Sequence, residues 1–318
     1  MSLLLASLLL SLFAVLVGWL ATRRDPAGSQ LLTVVSFLLL LALPALLLLP
    51  KVTVQLPVEA EQSAAISGTA LPVFGIIWVI GFAVCALKML RDYIVLHRWF
   101  ASSRSNEDED LEELLEECRT QLGLRHPVRL RLCSGDGSPC LGGLLSPVLY
   151  LPESSRFWSE QTLRMVFMHE LGHVARRDLW IALTARLTCL VHWFNPLVWW
   201  LRRHLVAQCE YGCDARVIAA GADPKAYVHA LCDVAESGRQ PETALAMAGS
   251  APLRQRVERL IARPGRKHHL LIGLALLATT VASVALSTVR FAPAMPGGDV
   301  YTPEEVELRL TADPFPSD

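Results

Sequence analysis

A chain of 318 residues with a formal net charge of −1 carries no excess of basic residues, so direct nucleic-acid binding is not expected. With 53% hydrophobic residues and a mean hydropathy of +0.39, it is too apolar for an ordinary soluble domain and reads as a membrane protein.

Four uncharged runs carry that reading: Leu3 to Leu20, Leu31 to Leu49 with a kink expected at Pro44, Leu71 to Leu87 with helix continuing to about residue 90, and Leu270 to Val289. Each is about the length needed to cross ~30 Å of hydrocarbon at ~1.5 Å per residue. The first has no Lys or Arg at its front and is followed closely by the second, so it reads as a span rather than a signal peptide. No charge lies inside any run, which argues against a channel or pump. Arg23 and Arg24 fall in the first loop. Lys88, Arg91, Arg98 and Arg104 follow the third run, and Arg259, Arg263, Arg266 and Lys267 precede the fourth. The positive-inside rule then makes the first loop and the segment 88–269 cytoplasmic and puts both termini outside. Cys85 lies in the third run and the other cysteines in the cytoplasmic segment, so disulfides are not expected. The expected organisation is a three-helix transmembrane region over 1–98, a cytoplasmic domain over 99–266, a fourth transmembrane helix over 267–290 and a short extracytoplasmic tail over 291–318.

The acids of 106–110 open a helix whose apolar face is Leu111, Leu114, Leu115, Cys118 and Leu122. Val128 to Leu132 alternates like a half-buried strand, and Cys140 to Leu144 and Val148 to Leu151 read as short strands around Ser146-Pro147. Cys140, Leu141, Gly142 and Gly143 are candidates for an edge strand that binds an extended substrate, the glycines allowing close approach. An ordinary turn accounts for the same glycines. Ser159 can cap the next helix, which is expected to run to about Leu179.

That helix carries His169-Glu170-Leu171-Gly172-His173. Two histidines four apart share one helical face and can reach one metal, while Glu170 sits where a general base can take a proton from water. Zn²⁺ suits imidazole donors and this chemistry. Asp178 can accept a hydrogen bond from a ligand imidazole or pair with Arg176 or Arg177. Trp180 to Trp200 is apolar but broken by Arg186, His192, Asn195 and Pro196, so 180–204 reads as a membrane-associated helical hairpin. Beyond it Glu210 and Asp214 share a helical face. Glu210 can complete a His₂Glu set that leaves one zinc position open, and Asp214 can hold a histidine from behind. Cys209 and Cys213 are rival donors on the same helix. Tyr227 and His229 are candidate oxyanion donors. Residues 236–253 read as a loop, and Leu253 to Ile261 as a basic amphipathic helix entering the membrane.

The sequence resembles the BlaR/MecR-type regulatory membrane zinc peptidases in His169-Glu170-Leu171-Gly172-His173 with Arg176-Arg177-Asp178, in Trp193-Phe194-Asn195-Pro196-Leu197, in Glu210-Tyr211-Gly212-Cys213-Asp214 and in Leu149-Tyr150-Leu151-Pro152-Glu153. The resemblance covers roughly residues 1–290. It implies a mainly α membrane protein with four transmembrane helices and, between the third and fourth, a cytoplasmic α+β gluzincin-like zinc peptidase domain. It also implies His169, His173 and Glu210 as zinc ligands and Glu170 as general base. The implied setting is the inner membrane of a bacterium, and the implied substrate a cytoplasmic protein, often a transcriptional repressor, or the chain itself. Sensing members carry a penicillin-binding domain after the last span and this sequence does not, so activation is expected through the spans, short loops, a homodimer or a separate sensor subunit. A quality-control or prenyl-protein protease of the HtpX/CAAX type, and a non-proteolytic scaffold with structural zinc, stand as alternatives.

Overall fold

Most of the described residues are helical, and two of their apolar clusters meet along one long helix. The computed structural model describes residues 3–22, 26–46, 52–56, 70–134, 137–237, 253–261 and 289–293, with a few positions between 274 and 281. In chain order these form α1 (Leu3–Thr22), α2 (Pro26–Leu46), β1 (Val52–Leu56), α3 (Ala70–Ala101), β2 (Arg104–Ser105), α4 (Glu109–Gln121), β3 (Arg129–Cys133), β4 (Cys140–Gly142) and β5 (Val148–Pro152). After a 3₁₀ turn at Glu153–Phe157 come α5 (Glu160–Arg176), α6 (Asp178–Val191), α7 (Pro196–Ala219), α8 (Pro224–Ser237), α9 (Leu253–Ile261) and β6 (Val289–Pro293).

The strands form a four-stranded sheet of order β2-β3-β5-β4, in which β3 and β5 run parallel and the outer pairings are antiparallel. β1 and β6 make a separate parallel pair, with Val52 opposite Val289. One core joins α4 (Leu111, Leu115), β3 and β5 (Leu130, Leu149), α5 (Phe167, Leu171), the C-terminal part of α7 (Val217) and α8 (Tyr227). The other joins α1 (Leu10), α2 (Phe37, Leu40), α6 (Ala185, Cys189) and the N-terminal part of α7 (Val198, Leu201, Leu205). With its 24 residues, α7 is about 36 Å long and belongs to both cores.

The expected four transmembrane helices are corrected. Among the described residues no helix is long and apolar enough to cross a membrane. Much of the apolar surface of the first two runs is used inside the protein, where Leu10, Phe37 and Leu40 pack on α6 and α7. An apolar run reports removal from water, and packing against other helices achieves that as well as lipid does. α3 carries Lys88, Arg91 and Asp92 within its 32 residues. The fourth run lies almost wholly outside the described residues, and at its end Val289 begins β6. Of the loop read at 236–253, the first two residues end α8 and the last begins α9, and the rest, like most of the tail at 291–318, lies outside the described residues. The helix read as entering a membrane, Leu253–Ile261, packs on α7 and α8 instead.

The hairpin is present as α6 and α7, and the Trp-Phe-Asn-Pro-Leu stretch is its turn. Asn195 Oδ1 accepts from Leu197 N at 3.0 Å and caps α7, with Pro196 in the first turn where no N–H is needed. The Asn195 amide, fully buried, also donates to Ser7 Oγ at 2.9 Å and Ser11 Oγ at 3.0 Å on α1. His192 Nε2 donates to Leu40 O of α2 at 2.8 Å. Nearby, the Trp193 ring lies where a Cβ on Gly81 would be, so α3 meets the hairpin through a glycine. Asn195→Ala removes a cap worth ~1 kcal/mol and leaves buried hydroxyls short of a partner at ~1–3 kcal/mol. Denaturant unfolding is expected to show a loss of about 2–4 kcal/mol, and a loss under ~0.5 kcal/mol would count against this account.

Candidate metal centre

The candidate site lies where α5 crosses the middle of α7. Ser159 Oγ caps α5 by accepting from Thr162 N at 3.1 Å. Four residues apart on this helix, His169 and His173 present their rings edge to face, with centroids 5.0 Å apart. Gly172 lets α7 approach, since a Cβ there would meet Cys213 Sγ at 3.2 Å. The approach brings Glu210 between the imidazoles: its Oε2 is 3.5 Å from His169 Nε2 and its Oε1 3.7 Å from His173 Nε2. The three side chains each offer one donor atom, and these atoms lie within 4.8 Å of one another. Two imidazoles and a carboxylate in that space suit Zn²⁺ and leave a fourth position unfilled by protein.

A carboxylate backs each ring at Nδ1. His173 Nδ1 donates to Asp178 Oδ2 at 2.8 Å, and His169 Nδ1 faces Asp214 Oδ1 at 3.2 Å and Tyr227 Oη at 3.0 Å. The Tyr227 hydroxyl donates to Asp214 Oδ1 at 2.8 Å. These partners hold the ring protons at Nδ1, so Nε2, which faces Glu210, is the nitrogen at which a metal ion would replace a proton. Asp178 reaches its histidine through a tight joint. α5 ends at Arg177, whose φ of 58° is left-handed, and α6 starts at the next residue. Asp178 is held in turn by Arg176 Nε at 3.3 Å, and the Arg176 guanidinium also donates to Gln30 Oε1 of α2. Gly212 leaves room for that guanidinium.

The electrostatics match a cation site. Burial would raise the Glu210 carboxyl, but its hydrogen bond with His169 and the nearby positive charges hold it at about 2. Burial likewise opposes ionisation of Asp214, yet bonds to His169 and Arg256 keep it well below the usual carboxylate range. Burial would lower His169, but Asp214 and Glu210 raise it to about 9, so the carboxylates call for positive charge at this point. Burial, then the Asp178 charge, pushes the thiols of the rivals Cys209 and Cys213 far up. Cys213 forms a second cluster with His173 and Asp178, but it lies on the Nδ1 side, where its thiol donates to Asp178 at 3.7 Å.

Glu170 is half-buried next to His169. Among the described residues its carboxylate makes no hydrogen bond or ion pair. Its charge is felt by Cys140, whose thiol burial and then Glu170 push well above the ordinary value, so β4 lies near this end of α5. β4 is an edge strand, paired among the described residues only with β5. Its glycines have internal reasons. A Cβ on Gly142 would meet the Tyr150 ring at 2.9 Å and the Phe100 ring at 3.0 Å, and Gly143 turns the chain at a φ of 79°. Tyr227 is buried behind His169, and His229, two residues on along α8, is exposed. The structure brings neither to the Nε2 side of the histidines.

One residue absent from the sequence reading stands in the site. Arg256 of α9 donates from Nε to Asp214 Oδ2 at 2.9 Å and from Nη2 to Oδ1 at 2.5 Å, and its Nη1 is 3.2 Å from Glu210 Oε2. A sequence signal existed. Leu253, Arg256, Val257 and Leu260 share a helical stripe, so an arginine sits within an apolar face.

Residues 29–260 match the family model described as BlaR1 peptidase M56. The chain is 28% identical over 163 residues to the regulatory protein BlaR1 of Bacillus licheniformis, covering 51% of this chain and 26% of that protein. It is 24% identical over 145 residues to the methicillin resistance mecR1 proteins of Staphylococcus aureus and Staphylococcus epidermidis, covering 45% of this chain and 24% of theirs. The matches take in about a quarter of the length of these relatives. The family match runs through most of the chain and includes α5, α7 and α8, together with most of α9, and so this protein belongs to the BlaR1 peptidase M56 family.

Proposed function

We propose that this protein is a zinc metalloendopeptidase that cleaves a cytoplasmic protein in signal transduction, with a transcriptional repressor or the chain itself as substrate. The observation that carries the proposal is the donor set: two Nε2 atoms face the two oxygens of one carboxylate, and each ring is backed at Nδ1 by an aspartate. His169, His173 and Glu210 would hold the ion. When bound, zinc supplies Lewis acidity, which polarises a carbonyl and acidifies water. Asp178 and Asp214 keep the imidazoles in the binding tautomer and orientation. Glu170 takes a proton from the attacking water and passes it to the leaving amine, as a general base and then a general acid. The β4 edge beside α5 can align an extended peptide by strand addition. Similarity to the regulatory protein BlaR1 of Bacillus licheniformis supports the signalling role. The protein works at the bacterial inner membrane, where exposed side chains such as Ile76, Ile80, Val84 and Leu87 of α3 would meet lipid.

The test uses the purified full chain with a peptide library and a cytoplasmic extract. Cleavage is expected to stop when metal is stripped by a chelator and to return with added Zn²⁺. Absence of cleavage by the zinc-loaded chain, or cleavage that survives stripping, would overturn the proposal. For the location, the protein should sediment with membranes after a high-salt wash and be released by detergent; release by salt alone would count against it.

A further inference from the structure

The structure assigns to Arg256 the part of a positioning residue that sets the affinity and geometry of the metal site through Glu210 and Asp214. This inference rests on the metal reading of the site given above. Arg256 comes from α9, a helix that supplies none of the candidate donors, yet its side chain is 12% exposed and its guanidinium faces the carboxylates at both ends of the His169 ring. Two of its nitrogens bind the two oxygens of Asp214, the carboxylate behind Nδ1 of His169. A third, Nη1, stands 3.2 Å from Glu210 Oε2, the oxygen that also faces His169 Nε2. One planar fork therefore fixes the partner of one candidate ligand and the rotamer of another. Such a fork suits arginine, whose donors are rigidly spaced, and not lysine, a point charge on a flexible stem.

Other contacts dock α9. Tyr211 donates to Gln255 Oε1 at 3.0 Å, and the Arg259 guanidinium lies 4.1 Å above the Tyr211 ring. Arg256 is thus not needed merely to hold the helix in place. Its charge has two opposed effects. A cation close to a metal repels it, whereas loss of the guanidinium frees Glu210 to rotate and leaves Asp214, 3% exposed, with an uncompensated charge. The bidentate pairing with Asp214 already neutralises much of the Arg256 charge, so the ordering effect is the larger.

The experiment compares the full chain with its Arg256→Met, Arg256→Lys and Arg259→Met variants. Zinc affinity is measured by competition with a chelating dye, and the visible spectrum of the Co²⁺-loaded protein reports donor geometry independently of activity. Arg256→Met is expected to bind Zn²⁺ about 10–100-fold more weakly and to alter the Co²⁺ spectrum, as loss of a ligand's partner does elsewhere. Arg256→Lys should recover part of the affinity but not the spectrum. Arg259→Met, which removes a charge from the same helix over Tyr211, should keep the spectrum and change zinc affinity by less than Arg256→Met does. If Arg256→Met does not fold, Arg256→Lys carries the test alone, with an altered spectrum expected. Unchanged affinity and spectrum in the Arg256 variants, or tighter zinc binding in Arg256→Met, would overturn the assignment while leaving the metal site intact. A wild-type chain that binds no zinc would overturn the metal reading and this inference together.

Discussion

Glu170→Gln is expected to abolish peptide cleavage and to leave zinc content at the wild-type level. The amide keeps the size and shape of the carboxylate, so α5 and its histidines stay in place. What it loses is the capacity to accept a proton. General acid–base groups contribute about 10²–10⁴-fold to rate, which corresponds to about 2.7–5.4 kcal/mol of barrier at ~1.36 kcal/mol per decade. The structure favours a large value, because Glu170 has no hydrogen bond or ion pair among the described residues and no neighbouring acid or base stands ready to replace it. Asp178 and Asp214 are committed to the Nδ1 side of the histidines, and Glu210 faces both Nε2 atoms. The measurement is kcat/KM on a fluorogenic peptide, with zinc determined on the same sample. A variant that keeps more than about a tenth of the activity would remove Glu170 from the reaction.

Glu210→Ala should lose both zinc and activity, and the contrast with Glu170→Gln separates binding from chemistry. Removing a partner of a metal ligand costs about 10–100-fold in affinity, and removing a ligand should cost at least ~10²-fold. Cys209→Ser and Cys213→Ser are the controls. Cys213 packs on Gly172 with its sulfur on the Nδ1 side of His173, and among the described residues Cys209 belongs to no cluster of donors. Each serine variant should therefore retain zinc. Full zinc in Glu210→Ala, with loss in either cysteine variant, would transfer the third ligand to sulfur.

Spacing made much of this centre legible in the sequence. A spacing of four from His169 to His173 and of four from Glu210 to Asp214 is a helical repeat, and the structure puts each pair on one face. Ser159 as a cap and the α6–α7 hairpin were equally readable, because caps and turns are local. The strands came within a residue or two: Val128 to Leu132 against Arg129–Cys133, and Val148 to Leu151 against Val148–Pro152. What failed was information about partners. The apolar runs of α1 and α2 showed that water is excluded, but not that α6 and α7 do part of the excluding. Gly142 and Gly143 allowed two readings, an approaching peptide or an ordinary turn, and the Tyr150 and Phe100 rings and a tight turn give them internal reasons that only packing reveals. Arg256 escaped for the same reason. Its partners lie 42 and 46 residues back along the chain, and only the packing of α9 on α7 brings them together.

The joint at Arg177 makes the spacing from His173 to Asp178 a phase relation. With a single residue between α5 and α6, no slack exists in which a length change could be absorbed. Adding or deleting one residue would turn the Asp178 carboxylate by about 100° around its helix and carry it away from Nδ1. Substitutions along this stretch are therefore graded in effect, but changes of length are not. The interval from His169 to Asp178 behaves as a ruler of fixed length, whereas the route from Asp178 to Glu210 passes through a hairpin whose turn can vary as long as α7 returns to Gly172.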